Sequence, residues 1–321
     1  MDNQNFKNRN TTGLTLPKLP KLNDSLYPLE HSSTEQTSMS THLVVNSIAA
    51  LREKIEPLKR AGKRIGLVPT MGALHDGHLS LARYSVEKCD CTIVTIFVNP
   101  TQFAVGEDLD KYPQTLDEDI KKLSAAGVDF TLVPDNNEIY PQGYSTAVQP
   151  PEIAKVLEGE FRQTHFGGVC TVVLKLLNIA KPNVAFFGQK DFQQVAVVRQ
   201  MVTDLNIDVE IVSCPIVRDP DGLAMSSRNR YLDSDERQIA LNINRTIRFA
   251  VDEIEAGQTD AHCLMAEMRQ MLIDNGVTSI DYAAVCDSAT LKIQNQVKKP
   301  AVILIAAMVG KTRLIDNSLV E

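Results

Sequence analysis

The stretch RIGLVPTMGALHDGHLSLAR, residues 64–83, decides how the chain is to be read. Its first part, RIGLVPT, is a short apolar run ending at Thr70. Its last part opens HLSLARYSVEKC, where Leu79, Ala82 and Val86 recur at helical spacing. Between them lies a turn with two glycines, Gly72 and Gly77, and two histidines, His75 and His78. A strand, a tight turn and a helix start make the first unit of an α/β fold. In an open α/β sheet, ligands bind at the carboxyl ends of strands, which is where this turn falls.

The pattern continues on both sides. SIAALREKIEPLKRAG predicts a helix that stops near Gly62. CTIVTIFVNPT is a β-branched run of the kind buried in parallel sheets. TLDEDIKKLSAAGV reads as an amphipathic helix stopped at Gly127, and DFTLVP as a strand. Val169, Val172, Val173, Leu176, Leu177 and Ala180 form a helical stripe. VAFFG predicts a strand, DFQQVAVVRQMVTDLN a helix and VEIVSCPIV another strand. This rhythm predicts a Rossmann-like, doubly wound, mostly parallel sheet over residues 41–216. From residue 217 the rhythm loosens into the turn-rich RDPDGLAMSSRNRYLD. Helices are expected over about 234–256 and 260–275, and strands near SIDYAAVCD, AVILIAAMV and TRLIDN. These predict a second, smaller α/β domain over 217–321. Residues 1–40 are polar and proline-dotted, too poor in apolar side chains to offset the entropy of ordering, and are expected to be a disordered tail. Met39 is an alternative start of translation, because the patterned chain begins just after it.

Composition narrows the function classes. The chain is 43% hydrophobic and 23% charged, an ordinary globular profile, with a net charge of −7. That charge gives no global field to attract nucleic acid or an anionic membrane, and neither is expected as a partner. No apolar run approaches the roughly 18 residues of a membrane span. The cysteines, Cys89, Cys91, Cys170, Cys214, Cys263 and Cys286, are scattered without a C-x-x-C pair. They read as reduced thiols of a cytoplasmic protein.

Three clusters carry chemistry. In H75-D-G-H78, a helix start offers free N–H groups and a positive dipole end, which favour phosphate. The zinc spacing i, i+4 of H-E-x-x-H is absent. Taken alone, the motif leaves phosphate contact, metal ligation and a plain structural role all open. M225-S-S-R-N-R230 supplies adjacent hydroxyls and guanidinium forks suited to phosphate, or else a solvated turn. G188-Q-K-D191 places a lysine at another strand's carboxyl end, as a ligand group or as surface charge beside a helix cap.

Together PTMGALHDGH, FVNPTQF, THFGGVCTVVLKL, FFGQKDFQQ and MSSRNRYL resemble the signature stretches of the pantoate–β-alanine ligase family of nucleotidyltransferases, in the family's order. The resemblance runs from about Thr41 to Asn317. It implies ATP-dependent condensation of pantoate with β-alanine through a pantoyl adenylate, giving AMP and pyrophosphate. It implies that His75, His78, Lys190, Ser226, Ser227 and Arg228 act on the ATP phosphates, and that Met71, Gly77, Gly188, Asp191, Val217 and Met225 complete the ATP site. Gln102 and Gln194 would hold pantoate against Pro69, Met71 and Phe103, with Asn99, Tyr112, Arg162 and His165 around the site. Asp119 matches a position near Mg²⁺. A small C-terminal lid and a homodimer are further expectations. Asp76, Gln189 and Met308 depart from the family's usual Glu, Glu and basic residue, outside the positions assigned to ATP or pantoate. Two rivals stand beside this reading. One is a transferase that passes AMP to a phosphate acceptor, which would need a basic pocket in place of Gln102 and Gln194. The other is a nucleotide-binding module without turnover.

Overall fold

The structure is a computed structural model that describes residues 42–103 and 109–321. The expected tail over 1–40 lies outside the described residues. Six strands form one sheet: β1 (Leu43–Val45), β2 (Ile65–Thr70), β3 (Cys91–Ile96), β4 (Phe130–Leu132), β5 (Val184–Gly188) and β6 (Glu210–Cys214). Their spatial order is β1-β4-β3-β2-β5-β6, and every pairing is parallel. From β2 the chain winds outward through β3 and β4, then returns to the other side of β2 as β5 and β6. The order therefore reverses between β2 and β5, which is where a doubly wound sheet opens a crevice.

Both faces of the sheet are covered, which explains the unbroken apolar strands. Side chains alternate along a strand. Ile65, Leu67, Cys91, Ile93, Ala185 and Phe187 go to one face. There they meet α1 (Ile48–Arg60), α6 (His165–Ala180) and α7 (Phe192–Asp204). Val68, Val94, Ile96, Val184 and Phe186 go to the other, against α2 (Asp76–Lys88) and α3 (Leu116–Ala125). Short helices α4 (Asn136–Ile139) and α5 (Glu158–Phe161) lie in the β4–α6 connection.

The elements expected from the sequence are present, with two differences. β1 is an added edge strand of three residues, too short for its alternation to show in the sequence. In α2 the buried positions are Leu79, Leu81, Ala82 and Ser85, whereas Val86 is 37% exposed. Ser85 can sit in the core because its hydroxyl pairs with Thr92 Oγ1 at 2.8 Å.

Past β6, helices α8 (Ser234–Glu255) and α9 (Ala261–Asp274) cover a three-stranded antiparallel sheet, β7 (Ser279–Asp287), β8 (Ala301–Val309) and β9 (Thr312–Val320). Val285, Ile303, Ile305, Ala307, Leu314 and Val320 face the two helices. Tyr282, Ala284, Val302, Leu304, Ala306 and Ile315 face the other way and pack on Ile153, Leu157, Phe192 and Ala196. The second sheet thus joins the first part of the chain through apolar contacts. The described residues cluster as one compact unit. Among the described residues, no helix is long and apolar enough to cross a membrane.

Candidate active site

The β2–α2 turn is held by a buried carboxylate. Gly72 (φ +81°) and Ala73 (φ +52°) both take left-handed conformations, which turn the chain sharply out of the sheet. Asp119, fully buried on α3, accepts the N–H groups of Ala73 at 2.8 Å and Leu74 at 2.9 Å. The Thr115 hydroxyl donates to the same carboxylate at 3.1 Å, and Lys122 Nζ donates to the Leu74 carbonyl at 2.8 Å. Asp119 was expected near Mg²⁺; here its carboxylate serves the turn. Asp119 lies outside the pocket wall, and both of its oxygens are engaged by the turn. Among the described residues, no group of three His, Cys, Asp or Glu side chains could hold a metal ion.

With the turn fixed, His75 becomes the N-cap of α2 and His78 lies on its first turn. Their rings are 4.0 Å apart between centroids, tilted by 37°. Gly77 makes room for this packing, since a Cβ there would lie 2.9 Å from the His75 ring. The His75 backbone N–H donates to His78 Nδ1 at 3.4 Å, which puts the proton of a neutral His78 on Nε2. Burial, helped by the nearby Lys190 charge, lowers His75 to about 4. Burial, followed by His75, Lys190 and Lys122, pushes His78 well below its ordinary value. At neutral pH both are uncharged imidazoles. They can donate N–H to an anion without the solvation cost of a buried cation.

Every site residue expected from the sequence, except Asp119, lines one pocket of about 220 Å³ at the sheet's reversal point. The end of β2 and the start of α2 bring Pro69, Met71, His75, Gly77 and His78. The segment after β3 brings Asn99, Gln102 and Phe103, with Tyr112 beyond it. Arg162 and His165 come from the start of α6, and Gly188, Lys190, Asp191 and Gln194 from the end of β5 and the start of α7. Val217, Met225, Ser226, Ser227 and Arg228 close the far wall. A wider cleft of about 1110 Å³ continues from it toward β9, sharing Arg162, Lys190 and Arg228.

Several of these side chains are pre-set. Asn99, 1% exposed, donates to the Gly168 carbonyl and to Gln102 Oε1, both at 3.2 Å, and accepts Tyr140 Oη at 2.8 Å. It therefore orients Gln102, whose amide also contacts the Met71 sulfur. Gly168 allows that loop to lie on α6, since a Cβ there would sit 2.7 Å from Gln102 N. His165 donates from Nδ1 to the Gln102 carbonyl at 2.9 Å. Ser226 caps the turn at residues 227–231 by accepting Arg228 N at 3.3 Å, and Ser227 Oγ donates to Tyr112 Oη at 3.4 Å. The pocket floor is apolar: Val169, Val173 and Leu176 from α6, with Phe97 and Phe187. Sequence reading found the α6 stripe but assigned none of it to the site. The stripe is apolar nearly all round, and that signals burial without separating core from pocket floor.

The family model described as pantoate-beta-alanine ligase matches residues 43–319. The pantothenate synthetase of Caldicellulosiruptor bescii is 48% identical over 279 residues, covering 87% of this chain and 99% of that protein. Pantothenate synthetase 1 of Bradyrhizobium diazoefficiens is 50% identical over 275 residues, covering 85% and 96%. The crystal structure of pantothenate synthetase from Thermus thermophilus superposes with a TM-score of 0.82 at 37% identity, over 86% of this chain and 98% of that one. Pantoate-beta-alanine ligase from Francisella tularensis, complexed with beta-gamma ATP and beta-alanine, gives a TM-score of 0.74 at 38% identity, over 87% and 98%.

Proposed function

The chain belongs to the pantoate–β-alanine ligase family, and on that premise we propose how its own residues carry out the ligation. The enzyme joins pantoate to β-alanine at the expense of ATP, releasing AMP and pyrophosphate. In the first step a pantoate carboxylate oxygen attacks the α-phosphorus, and the bond to the bridging oxygen of pyrophosphate breaks. A carboxylate is already ionised at neutral pH, so this step needs placement and charge stabilisation rather than a base. In the second step the β-alanine amine attacks the acyl carbon, and AMP leaves.

The neutral His75 and His78 donate N–H groups to the phosphates at the α2 N-terminus. Lys190, Ser226, Ser227 and Arg228 meet the same phosphates from the opposite wall and stabilise the leaving pyrophosphate. Asp191, Gly188, Val217, Met225, Met71 and Gly77 surround the nucleotide. Gln102 and Gln194 bind the polar end of pantoate, while Pro69, Met71 and Phe103 meet its dimethyl group. The α6 floor of Val169, Val173 and Leu176 extends that apolar wall. Tyr112, Arg162 and His165 line the side open to the wider cleft. Mg²⁺ would enter as a companion of ATP, held mainly by its phosphates. The protein works as a cytoplasmic homodimer in this account; its six free cysteines fit a reducing compartment.

The convergence of the separated motifs on one pocket at the β2/β5 reversal carries this reading. It is tested by mixing enzyme, ATP and Mg²⁺ with pantoate alone, then with β-alanine added. Pyrophosphate should form in the first mixture, and steady AMP release should require the second. ATP binding without either product would leave only a nucleotide-binding protein.

A further inference from the structure

We propose that Asn317, on β9 of the second sheet, is a positioning residue for Lys190 in adenylate formation. The proposal rests on the assignment of Lys190 to the ATP phosphates. Asn317 is 2% exposed, and its side-chain amide has no spare group. Nδ2 donates to the carbonyls of Gln189 at 2.9 Å and Lys190 at 2.8 Å. Oδ1 accepts Gln189 Nε2 at 3.4 Å. One buried side chain therefore fixes two successive peptides of the loop that carries Lys190.

Gln189–Asp191 is a single 3₁₀ turn between β5 and α7. The lysine ammonium lies 4.0 Å from Asp191 and is otherwise aimed into the pocket. The direction in which its flexible stem leaves the backbone is set by its own peptide, and that peptide is held by Asn317. The anchor itself is firm. On the same strand, Asp316 receives both arms of Arg218, at 2.6 and 3.0 Å. Arg313 forks onto Glu158 at 2.9 and 2.7 Å and reaches Asp281 at 2.7 Å. β9 is thus pinned to the segment before the serine loop, to α5 and to the lysine loop. Through this strand the second sheet would take part in phosphate handling.

The test separates the two half-reactions in the full-length enzyme. One assay follows pyrophosphate formed from ATP and pantoate in a single turnover. The other follows pantothenate formed from supplied pantoyl adenylate and β-alanine. Lys190→Ala is measured first; unchanged pyrophosphate formation there would remove the phosphate role of Lys190 itself, and the proposal with it. Given a slow Lys190→Ala, Asn317→Asp, similar in size but without donors, should slow pyrophosphate formation about 10- to 100-fold, as a displaced catalytic group does. Aminolysis of the supplied adenylate should stay within about 3-fold, because no pyrophosphate leaves in that step. Added to Lys190→Ala, Asn317→Asp should cost less than about a further 2-fold, since the two act through one group. Equal slowing of both half-reactions, or full additivity with Lys190→Ala, would overturn the proposal. If Asn317→Asp fails to fold, Asn317→Ser is read by the same criteria below its melting temperature.

Discussion

His75 and His78 show how burial selects the useful form of a side chain. A protonated pair 4.0 Å apart would repel, and burial opposes either charge, so the rings stay neutral and are available as N–H donors. The stability consequence has a definite sign. In the unfolded chain His75 takes a proton near 6.5, whereas in the folded chain it does so only near 4. The unfolded state therefore binds more protons between those values, and stability should fall as pH drops from about 6.5 to about 4. Denaturant titrations across that range should show a shallower slope for His75→Gln than for the parent; identical slopes would contradict the buried neutral imidazole. Gln102 offers a test of specificity at the same scale. Gln102→Ala should raise the pantoate KM by roughly tenfold or more, the cost of a hydrogen bond lost at a polar substrate group. ATP binding should stay nearly unchanged, and equal loss of both would remove Gln102 from the pantoate pocket.

Among the elements, the β2–α2 turn depends on a residue from another helix. Asp119→Asn keeps one acceptor but turns an amide toward the second N–H, leaving a buried donor unpaired at a cost of about 1–3 kcal/mol. The melting temperature and kcat should both fall, while the Mg²⁺ concentration for half-maximal rate stays put. A higher Mg²⁺ requirement with unchanged stability would restore Asp119 as a metal ligand. This is also where sequence reading reached its limit. Spacing placed His75 and His78 on a strand-to-helix turn, because period and glycines are local signals. The partner of that turn is 45 residues or more away, and an acid in a helical first turn looks the same whether it faces solvent or a buried N–H. Helical spacing alone also leaves open which neighbouring face is buried; here Ser85, paired with Thr92, faces inward while Val86 is exposed.

At the scale of the molecule, the βαβ rhythm made the parallel sheet legible, and the reversal at β2/β5 follows from where the motifs fall. The sequence did not reveal how the second sheet attaches, since its contacts are long-range. Glu158 is central to that attachment. Burial by itself would raise its carboxyl, but Arg313, then the Tyr282 hydroxyl and Arg162, hold it below the usual carboxylate value. Its stabilising effect is present above that usual value and is lost as pH falls through the lowered one. Arg313→Ala leaves this buried carboxylate without its main partner and should cost about 3–5 kcal/mol, seen as a large drop in melting temperature. A change under about 0.5 kcal/mol would mean the cluster does not join the two sheets.

The central claim is that the pocket at the reversal point forms an acyl adenylate. The most direct measurement is mass spectrometry of AMP after turnover with pantoate labelled with ¹⁸O in its carboxylate. AMP should carry one ¹⁸O, because a carboxylate oxygen bonds to the α-phosphorus and leaves with it. Unlabelled AMP, with turnover intact, would contradict it.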